Sequence, residues 1–342
     1  MAHYDPDKSW MRAALALARR GLGRTAPNPT VGCVIVKDDI VVGRGWTQPG
    51  GRPHAEPQAL AQAGENARGA TAYVSLEPCA HHGKTPPCAE ALIKAGVARV
   101  VAALEDPDPR VSGRGLKMLM EAGVNIRSGV LREEALTMNA GFISRITRGR
   151  PFVTAKLATT LDARVATGSG ESKWITGPEA RAHGHLERAR HDAILVGAGT
   201  YEADKPSLDC RLPAMGDYSS LRFIIKGKRQ ISAVSSEFEI LEDASEGWPE
   251  PASILTQLAS KGLGRILIEG GPTLITSFMR AGLIDRLLWY RAPMVFGGDG
   301  RACLDGLDVA QIVTAPRFKL AERRQLGQDC LEIFERIEKE PS

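Results

Sequence analysis

Apolar runs of strand length alternate with helix-like segments along almost all of this 342-residue chain. Runs such as TAYVSLE and RVVAAL are each followed by a segment in which apolar residues have helical spacing. This alternation predicts an α/β fold, in which helices cover a sheet. The pattern is broken at residues 147–151, where the run Thr-Arg-Gly-Arg-Pro precedes a new strand. We therefore expect two α/β domains, residues 1–148 and 149–342, since a domain usually takes roughly 100–200 residues.

The pattern also predicts where most helices lie. Expected helices of the first domain cover residues 7–20, 54–64, 88–96, 113–122 and 131–147, and those of the second cover 178–190, 251–261 and 273–281. Asp7 is the expected N-cap of the first helix. The polar, irregular stretch at residues 232–250 is assigned no element.

Charge and composition narrow the class of ligand. The formal net charge is +4 and the basic residues form no run, whereas a nucleic-acid binder usually shows a clustered basic stripe. The balance favours a small anionic substrate. No stretch approaches the ~18 apolar residues of a membrane span, and the first ten residues lack the pattern of a signal peptide. We expect a cytoplasmic homo-oligomer that binds neither nucleic acid nor membrane, and whose six cysteines are metal ligands or core residues rather than disulfides.

Three potential metal ligands lie at predicted strand–helix junctions. His54 opens one helix, Cys79 follows a strand, and Cys88 opens the next helix. One imidazole and two thiolates match a catalytic zinc, which keeps its fourth position for water. Helix N-termini favour thiolates because the helix dipole lowers their pKa. The adjacent His81 and His82 remain alternative ligands, since histidine binds metals often.

Glu56 is the candidate proton carrier of this site. It lies two residues beyond His54, so it can face the same centre without binding the metal. Zinc lowers the pKa of a bound water to about 7, and a neighbouring carboxylate can move the water proton to a leaving amine. A chance His-Ala-Glu and a structural cysteine are the less favoured alternatives.

The known signature of zinc nucleobase deaminases is His-x-Glu followed by Pro-Cys-x-x-Cys, but here eight residues separate Cys79 from Cys88. The string LEPCAHHGKTPPC, with HAE and PNPTVGC upstream, resembles the deaminase domain of bifunctional riboflavin-biosynthesis proteins. That resemblance implies a cytidine-deaminase-like, three-layer domain. It implies that Asn28 bonds the pyrimidine or the ribose and that Lys84 meets the substrate phosphate. A turn residue and a solvated loop charge are the respective alternatives.

The motifs of the second half are weaker one by one. The turn Gly270-Gly271-Pro272-Thr273 precedes a helix whose first amides could bind a phosphate, although it also suits a plain tight turn. It is not the Gly-x-Gly-x-x-Gly pattern, so no Rossmann fold is predicted. The segments KLATTLDARVATGSGESKWIT, VGAGTYEADKPSLDCR and IEGGPTL, in that order, resemble the reductase domain of the same family, which is dihydrofolate-reductase-like and uses NADPH.

The resemblance implies two sets of reductase residues. The implied substrate contacts are Lys156, Ser172, Arg188, Leu208, Arg211 and Glu269. The implied cofactor contacts are Ala158, Trp174, Thr200, Asp204, Gly271, Pro272, Thr273, Leu274, Ile275, Thr276 and Ser277. In this scheme the two arginines hold the ribose phosphate, while the lysine and the glutamate orient the opened ribose. Core positions for Trp174 and Leu208, and a solvated helix face for Arg188, remain the alternatives.

The chain departs from the family after the strand RFII. Relatives carry a short element such as Asp-Ser there, whereas this chain has Lys226-Gly227-Lys228-Arg229, and the stretch 232–250 looks short by one strand. Either three clustered cations hold the 2′-phosphate of NADPH, or the reductase is weak. We expect a working reductase whose preference for NADPH over NADH falls as salt rises.

The expected function is therefore a two-step hydrolase and oxidoreductase. The first domain, with one zinc per chain, would deaminate 2,5-diamino-6-(5-phosphoribosylamino)pyrimidin-4(3H)-one, and the second would use NADPH to reduce the ribosyl group to ribityl. One alternative is a deaminase whose reductase is weakened by the altered 226–250 segment. Others are a cytidine or tRNA-adenosine deaminase, disfavoured by the long cysteine loop, and a structural zinc module, which would want four protein ligands.

Overall fold

A computed structural model describes residues 4–83, 86–109, 111–215, 218, 220–227, 231, 233–242 and 248–337. The chain divides into two compact units, residues 1–149 and 150–342. The division falls inside the run of residues 147–151 that breaks the sequence pattern. Along the described chain, no helix has the length and apolar character needed to cross a bilayer.

The first unit is a sheet covered by helices. Its helices are α1 (Pro6–Ala18), α2 (Ala55–Ala63), α3 (Cys88–Lys94), α4 (Arg114–Glu121), α5 (Arg132–Met138) and α6 (Ala140–Arg148). Its strands are β1 (Gly32–Lys37), β2 (Ile40–Trp46), β3 (Thr71–Val74), β4 (Arg99–Ala102) and β5 (Asn125–Arg127). Within the described residues they form a five-stranded sheet in the order β2-β1-β3-β4-β5. The sheet is parallel from β3 to β5 and antiparallel on both sides of β1.

Two sequence predictions for this unit need correction. The helix predicted over 131–147 is two helices, because Asn139 leaves helical geometry and its Oδ1 accepts a hydrogen bond from the Thr30 amide at 3.0 Å. The N-cap of α1 is Asp5 rather than Asp7, because the helix begins at Pro6. Asp7 is instead buried, and its carboxylate binds the guanidinium of Arg99 at 2.7 and 2.8 Å.

Close packing fixes the N-terminus of α2. The buried face of this helix consists largely of alanines, which let its backbone lie directly on β2. A Cβ at Gly45 of β2 would lie 2.1 Å from the Ala55 carbonyl oxygen, so only glycine fits there. The position of His54, the residue just before α2, follows from this contact.

The second unit contains a larger, mixed sheet. Its helices are α7 (Pro178–Ala189), α8 (Ala198–Asp204), α9 (Pro251–Ser260) and α10 (Pro272–Arg280). Its strands are β6 (Phe152–Thr159), β7 (Arg164–Ala166), β8 (Ala193–Gly197), β9 (Leu221–Ile225), β10 (Phe238–Leu241), β11 (Arg265–Ile268), β12 (Arg286–Arg291), β13 (Arg301–Ala302), β14 (Phe318–Leu326) and β15 (Asp329–Arg336).

The order of this sheet brings several strand ends together. Among the described residues it has eight strands in the order β10-β9-β8-β11-β6-β12-β15-β14, while β7 and β13 form a separate pair. The first six strands in this order, from β10 at the edge to β12, are parallel, so their carboxyl ends meet at one edge. Strands β15 and β14 close the sheet as an antiparallel hairpin. The hairpin was not predicted. The stretch that seemed to lack a strand contains β10, which pairs with β9.

Candidate active sites

The three predicted metal ligands converge in the first unit. The potential ligand atoms of His54, Cys79 and Cys88 all lie within 4.8 Å of one another. The Nδ1 atom of His54 is 3.3 Å from the Cys88 sulfur and 3.7 Å from the Cys79 sulfur. These separations suit a tetrahedral zinc, because Zn–S bonds of about 2.3 Å and Zn–N bonds of about 2.0 Å place neighbouring ligand atoms roughly 3.5–3.8 Å apart. The donor set thus fits zinc.

The alternative histidine ligands lie outside this cluster. His81 and His82 are both exposed, and the Nε2 atom of His82 is 3.4 Å from a carboxylate oxygen of Glu90. Within the described residues, His54, Cys79 and Cys88 form the single cluster of three or more potential metal ligands. Three protein ligands leave a fourth position open, as in catalytic rather than structural zinc sites.

Glu56 is buried beside these ligands, with 3% of its surface exposed. Burial, assisted by the negative charge of Cys79, raises the pKa of Glu56 to about 7. Hydrogen bonds from Cys88 lower the pKa of Cys79 to about 4, and one of them runs from the Cys88 amide to the Cys79 sulfur at 3.3 Å. A carboxyl group with a pKa near neutrality can both accept and return a proton.

A second buried glutamate, Glu77, lies near the cluster of potential metal ligands and was not predicted from the sequence. Glu77 lies two residues before Cys79, and its carboxylate accepts hydrogen bonds from four backbone amides at 2.8–3.2 Å. The amides belong to Asp106, Gly113, Gly115 and Leu116. A glutamate directly before a Pro-Cys ligand motif was the available signal, but its partners lie about 30 or more residues away. Glu77 holds the loop after β4 against the strand end that carries Cys79.

Of the two substrate-binding residues predicted for this unit, the structure describes Asn28. Asn28 lies in a turn, where its Nδ2 donates to the Gly51 carbonyl oxygen at 2.9 Å. The two residues are 23 positions apart, so this bond is not a local turn contact, and the role of Asn28 in binding the substrate stays a prediction. Lys84 lies outside the described residues.

The second unit contains a cavity of about 1320 Å³. It opens at the carboxyl ends of the parallel strands, where α8 and α10 begin. Most of the predicted reductase residues line it: Lys156, Ala158, Ser172, Trp174, Arg188, Thr200, Asp204, Leu208, Arg211, Glu269, Gly271, Pro272, Thr273 and Leu274. The cavity therefore gathers both implied sets of contacts at one place in the fold.

Three predicted cofactor residues do not line this cavity. Ile275 is buried in the hydrophobic core. The Thr276 hydroxyl accepts a hydrogen bond from the Asp305 amide at 2.8 Å, and the Ser277 hydroxyl donates to the Leu274 carbonyl at 2.7 Å. Beyond its first turn, α10 buries most of its side chains, so contact of these three residues with the cofactor stays a prediction.

A charge cluster lies on the wall of the cavity. Arg188 donates to the Glu269 carboxylate at 2.5 and 3.0 Å, and the Lys156 ammonium is 3.6 Å from the same carboxylate. Burial by itself would raise the pKa of Glu269, but the charges of Arg188 and Lys156 outweigh it and lower this pKa to about 2. Arg188 is therefore not on a solvated helix face: two of its donors bind Glu269 and another binds the Asp209 carbonyl oxygen at 3.2 Å.

Other cavity residues resolve the remaining alternatives. Trp174 is 65% exposed and is thus not a core residue. One face of its ring lies 4.7 Å from the Arg181 guanidinium, which the sequence analysis did not select. Leu208 is 4% exposed and belongs to the core while it lines the cavity. Arg211 is largely exposed, with Asp209 3.4 Å away.

The segment that departs from the family is only partly described. The Lys226 ammonium is 2.8 Å from the Glu242 carboxylate, whereas Lys228 and Arg229 lie outside the described residues. Gly227 lines the cavity together with Trp248. A Cβ on Gly227 would lie 2.5 Å from Trp248 Cε3, so the indole occupies the space that a larger residue would need.

Comparisons with known proteins identify the domain that each half of the chain contains. The model of the cytidine and deoxycytidylate deaminase zinc-binding region matches residues 5–104, and that of the RibD C-terminal domain matches residues 151–331. The riboflavin biosynthesis protein RibD of Escherichia coli is 41% identical, over 96% of this chain and 99% of that protein. That of Haemophilus influenzae is 40% identical, over 94% of this chain and 95% of that protein.

Solved structures give the same result over the full length. Acinetobacter baumannii RibD is 39% identical with a TM-score of 0.88, and the comparison covers 97% of this chain and 99% of that one. A diaminohydroxyphosphoribosylaminopyrimidine deaminase/5-amino-6-(5-phosphoribosylamino)uracil reductase from Thermotoga maritima is 34% identical with the same TM-score and coverage. Deaminase and reductase domains are both present, and the chain belongs to the RibD family of bifunctional riboflavin-biosynthesis enzymes.

Proposed function

We propose that the first unit deaminates 2,5-diamino-6-(5-phosphoribosylamino)pyrimidin-4(3H)-one and that the second reduces the ribosyl group of the product to ribityl. The observation that carries the proposal is the convergence of His54, Cys79 and Cys88 around a potential metal position beside the buried Glu56. The name of the Thermotoga relative specifies the same two chemical steps. The residues that resemble the deaminase thus include those of the metal cluster, and those that resemble the reductase line the cavity of the second unit.

In the deaminase, the protein side chains bind and move a proton. His54, Cys79 and Cys88 would hold zinc, which supplies a Lewis acid that makes a bound water nucleophilic near neutral pH. Glu56 takes the proton of the attacking water and delivers it to the amino group that leaves as ammonia. Asn28, and Lys84 in the cysteine loop, would hold the pyrimidine and the phosphate.

In the reductase, the charged residues position the sugar. NADPH, when bound, supplies the hydride that adds to C1 of the opened ribose. The first turn of α10, from Gly271 to Leu274, offers backbone amides to a cofactor phosphate. Glu269 is held by Arg188 and Lys156, so its carboxylate can orient sugar hydroxyls. Arg211 is the more exposed arginine and has donors available for the substrate phosphate.

One incubation tests both steps. The enzyme is supplied with the diamino substrate, with and without NADPH, and the products are identified by mass. Deaminated product without NADPH, and deaminated and reduced product with it, are expected. Deamination alone under both conditions would favour the alternative of a weakened reductase, which the altered segment at 226–250 motivates.

Cofactor preference is a separate part of the proposal. If Lys228 and Arg229 meet the 2′-phosphate, then the ratio of kcat/KM for NADPH over NADH should fall as ionic strength rises. Lys226→Ala should change this ratio less than Lys228→Ala, since Lys226 is paired with Glu242. An NADPH preference that is independent of salt would argue against recognition by exposed cations.

We also propose that the protein works in the cytoplasm as a homo-oligomer. Strand β14 is the edge of the larger sheet and is mostly exposed, and Ile312 and Val313 nearby in sequence are exposed apolar residues. An open strand edge can pair with another chain. Light scattering coupled to size-exclusion chromatography gives the mass in solution, and a mass equal to one chain would oppose the oligomer.

A further inference from the structure

Tyr290 is a buried residue on the cavity wall that the functions assigned above do not use. It lies on β12, is 1% exposed, and lines the cavity. The strand register places it beside Ala158 of β6, and places Leu288 beside Lys156. Because residues two apart on a strand share a face, Tyr290 and Lys156 face the same side of the sheet. The Lys156 ammonium is 6.0 Å from the centre of the Tyr290 ring.

The hydroxyl of Tyr290 is held by a histidine of α7. Its oxygen is 2.7 Å from Nδ1 of His183 on α7, and Nε2 of the same imidazole is 3.4 Å from a guanidinium nitrogen of Arg324. A guanidinium only donates hydrogen bonds, so Nε2 of His183 is the acceptor. In a neutral imidazole the proton is then on Nδ1, which donates to the tyrosine oxygen. Burial lowers the pKa of His183, which keeps the ring neutral at neutral pH.

This assignment leaves the hydroxyl hydrogen of Tyr290 available. Among the residues that the structure describes, the tyrosine oxygen has no hydrogen-bond partner besides His183. A buried donor without an acceptor is costly, but Tyr290 lies on a cavity wall and can find its acceptor on a ligand. The charged groups on the same side of the sheet are Lys156, 6.0 Å from the centre of the tyrosine ring, and the carboxylate of Glu269, 3.6 Å from that ammonium. Both were assigned above to the sugar of the substrate.

We propose that Tyr290 is a further substrate-contacting residue of the reductase, whose hydroxyl donates a hydrogen bond to an oxygen of the opened sugar, and that His183 is its positioning residue. This deepens the proposed function of the second unit and rests on it. No covalent step is assigned to the tyrosine. Its part is to fix the sugar oxygen beside Lys156 and Glu269 while the hydride is transferred.

The first test is Tyr290→Phe, which keeps the ring beside Lys156 and removes only the hydroxyl. With pre-deaminated substrate, kcat/KM for reduction should fall about 10- to 100-fold, the effect of losing one well-placed donor. The dissociation constant of NADPH, measured by fluorescence, should change less than twofold, and deamination by the same chain should be unchanged. A collapsed cavity would instead weaken NADPH binding together with catalysis.

Tyr201→Phe is the matched control. Tyr201 is also a buried tyrosine of this unit with a cation over its ring, Lys205 at 4.8 Å, and its hydroxyl accepts a bond from the Ser235 amide at 3.0 Å. It does not belong to the cavity lining. This variant should keep reduction within twofold of the unmodified protein.

The second test leaves Tyr290 in place and changes His183. The side-chain NH₂ of Asn lies close to where Nδ1 of His183 lies, so His183→Asn can still donate to the tyrosine, whereas His183→Leu cannot. We expect reduction to be largely retained in the Asn variant and to fall about tenfold in the Leu variant. Normal reduction by Tyr290→Phe, or equal loss in the two His183 variants, would overturn the proposal. Absence of reduction in the unmodified chain would instead overturn the proposed function of this unit.

Discussion

The carboxylate of Glu269 and the guanidinium of Arg188 form a two-bond ion pair, at 2.5 and 3.0 Å, on the wall of the reductase cavity. Both side chains are mostly buried, at 8% and 17% exposed. Removing one partner of such a pair leaves an uncompensated charge. The ion pair is therefore expected to matter for stability as well as for catalysis.

We predict that Glu269→Gln lowers the unfolding free energy by about 3 kcal/mol, the usual cost of breaking a buried ion pair. It should also abolish most of the reduction while deamination continues at temperatures where the chain is folded. Urea unfolding and separate assays of the two steps measure this. Glu239→Gln is the control, because Glu239 and its partner Lys261 form an exposed pair, with side chains 53% and 41% exposed, that should contribute at most about 1 kcal/mol. Equal effects in the two variants would contradict this prediction.

The zinc site leads to a prediction on metal content. Cys79→Ser and Cys88→Ser should each reduce bound zinc from one per chain to a small fraction, because each removes one of three ligands. Metal analysis of the purified proteins measures it. Cys330→Ser, at a free cysteine outside the cluster, should retain one zinc. Full zinc retention in both ligand variants would mean that the metal is bound elsewhere.

Glu56→Gln separates proton transfer from metal binding. We expect ammonia release to fall about 10²-fold or more, while zinc content stays at one per chain because Glu56 is not a ligand. Reduction of pre-deaminated substrate should continue. Near-normal ammonia release would show that another group moves the proton.

Space around Gly227 provides a steric prediction. Its Cβ would lie 2.5 Å from the Trp248 ring, so Gly227→Ala must displace the indole from the cavity wall and should raise the KM for NADPH several-fold. Gly298→Ala is the control, since a Cβ there meets nothing within 4 Å. Steady-state kinetics give the KM for NADPH of both variants. An unchanged KM in Gly227→Ala would mean that Trp248 moves without affecting cofactor binding.

The Asp7 cluster predicts a dependence of stability on acid. Hydrogen bonds from Arg99, together with those from Arg127 and Tyr73, lower the pKa of Asp7 from 3.8 to about 2. A carboxyl group whose pKa is lower in the folded state stabilises the fold above its unfolded pKa, and this stabilisation is lost as pH falls from about 4 towards 2. The full difference is worth about 2 kcal/mol. Urea unfolding at pH 5 and pH 3 should therefore show a smaller loss in Asp7→Asn than in the unmodified chain, and identical losses would refute the assignment.

Local sequence patterns were enough to predict those site residues whose positions depend on the start of a helix. His54 and Cys88 could be placed because each opens a helix, and helix starts have a sequence signature. The bonds of Glu77 and the pairing of Arg188 with Glu269 could not be predicted, since each joins residues far apart in the chain. The β14–β15 hairpin was missed because β14 is mostly exposed, so it lacks the apolar run by which buried strands were recognised.

The hydrogen bonds of Glu77 also bear on how this family can vary. Its carboxylate contacts backbone amides of the loop after β4 and of the first turn of α4 rather than side chains. Exposed side chains of this segment, such as Glu105 and Ser112, can therefore change between relatives while the path of the chain is kept. Leu104, Asp106 and Val111 are buried and are more restricted. Gly115, in the first turn of α4, is restricted as well, because a Cβ there would lie 1.9 Å from the Pro78 carbonyl oxygen. Because Glu77 bonds to backbone amides, evolution can change the exposed surface of this segment without rebuilding the chain segment that carries Cys79.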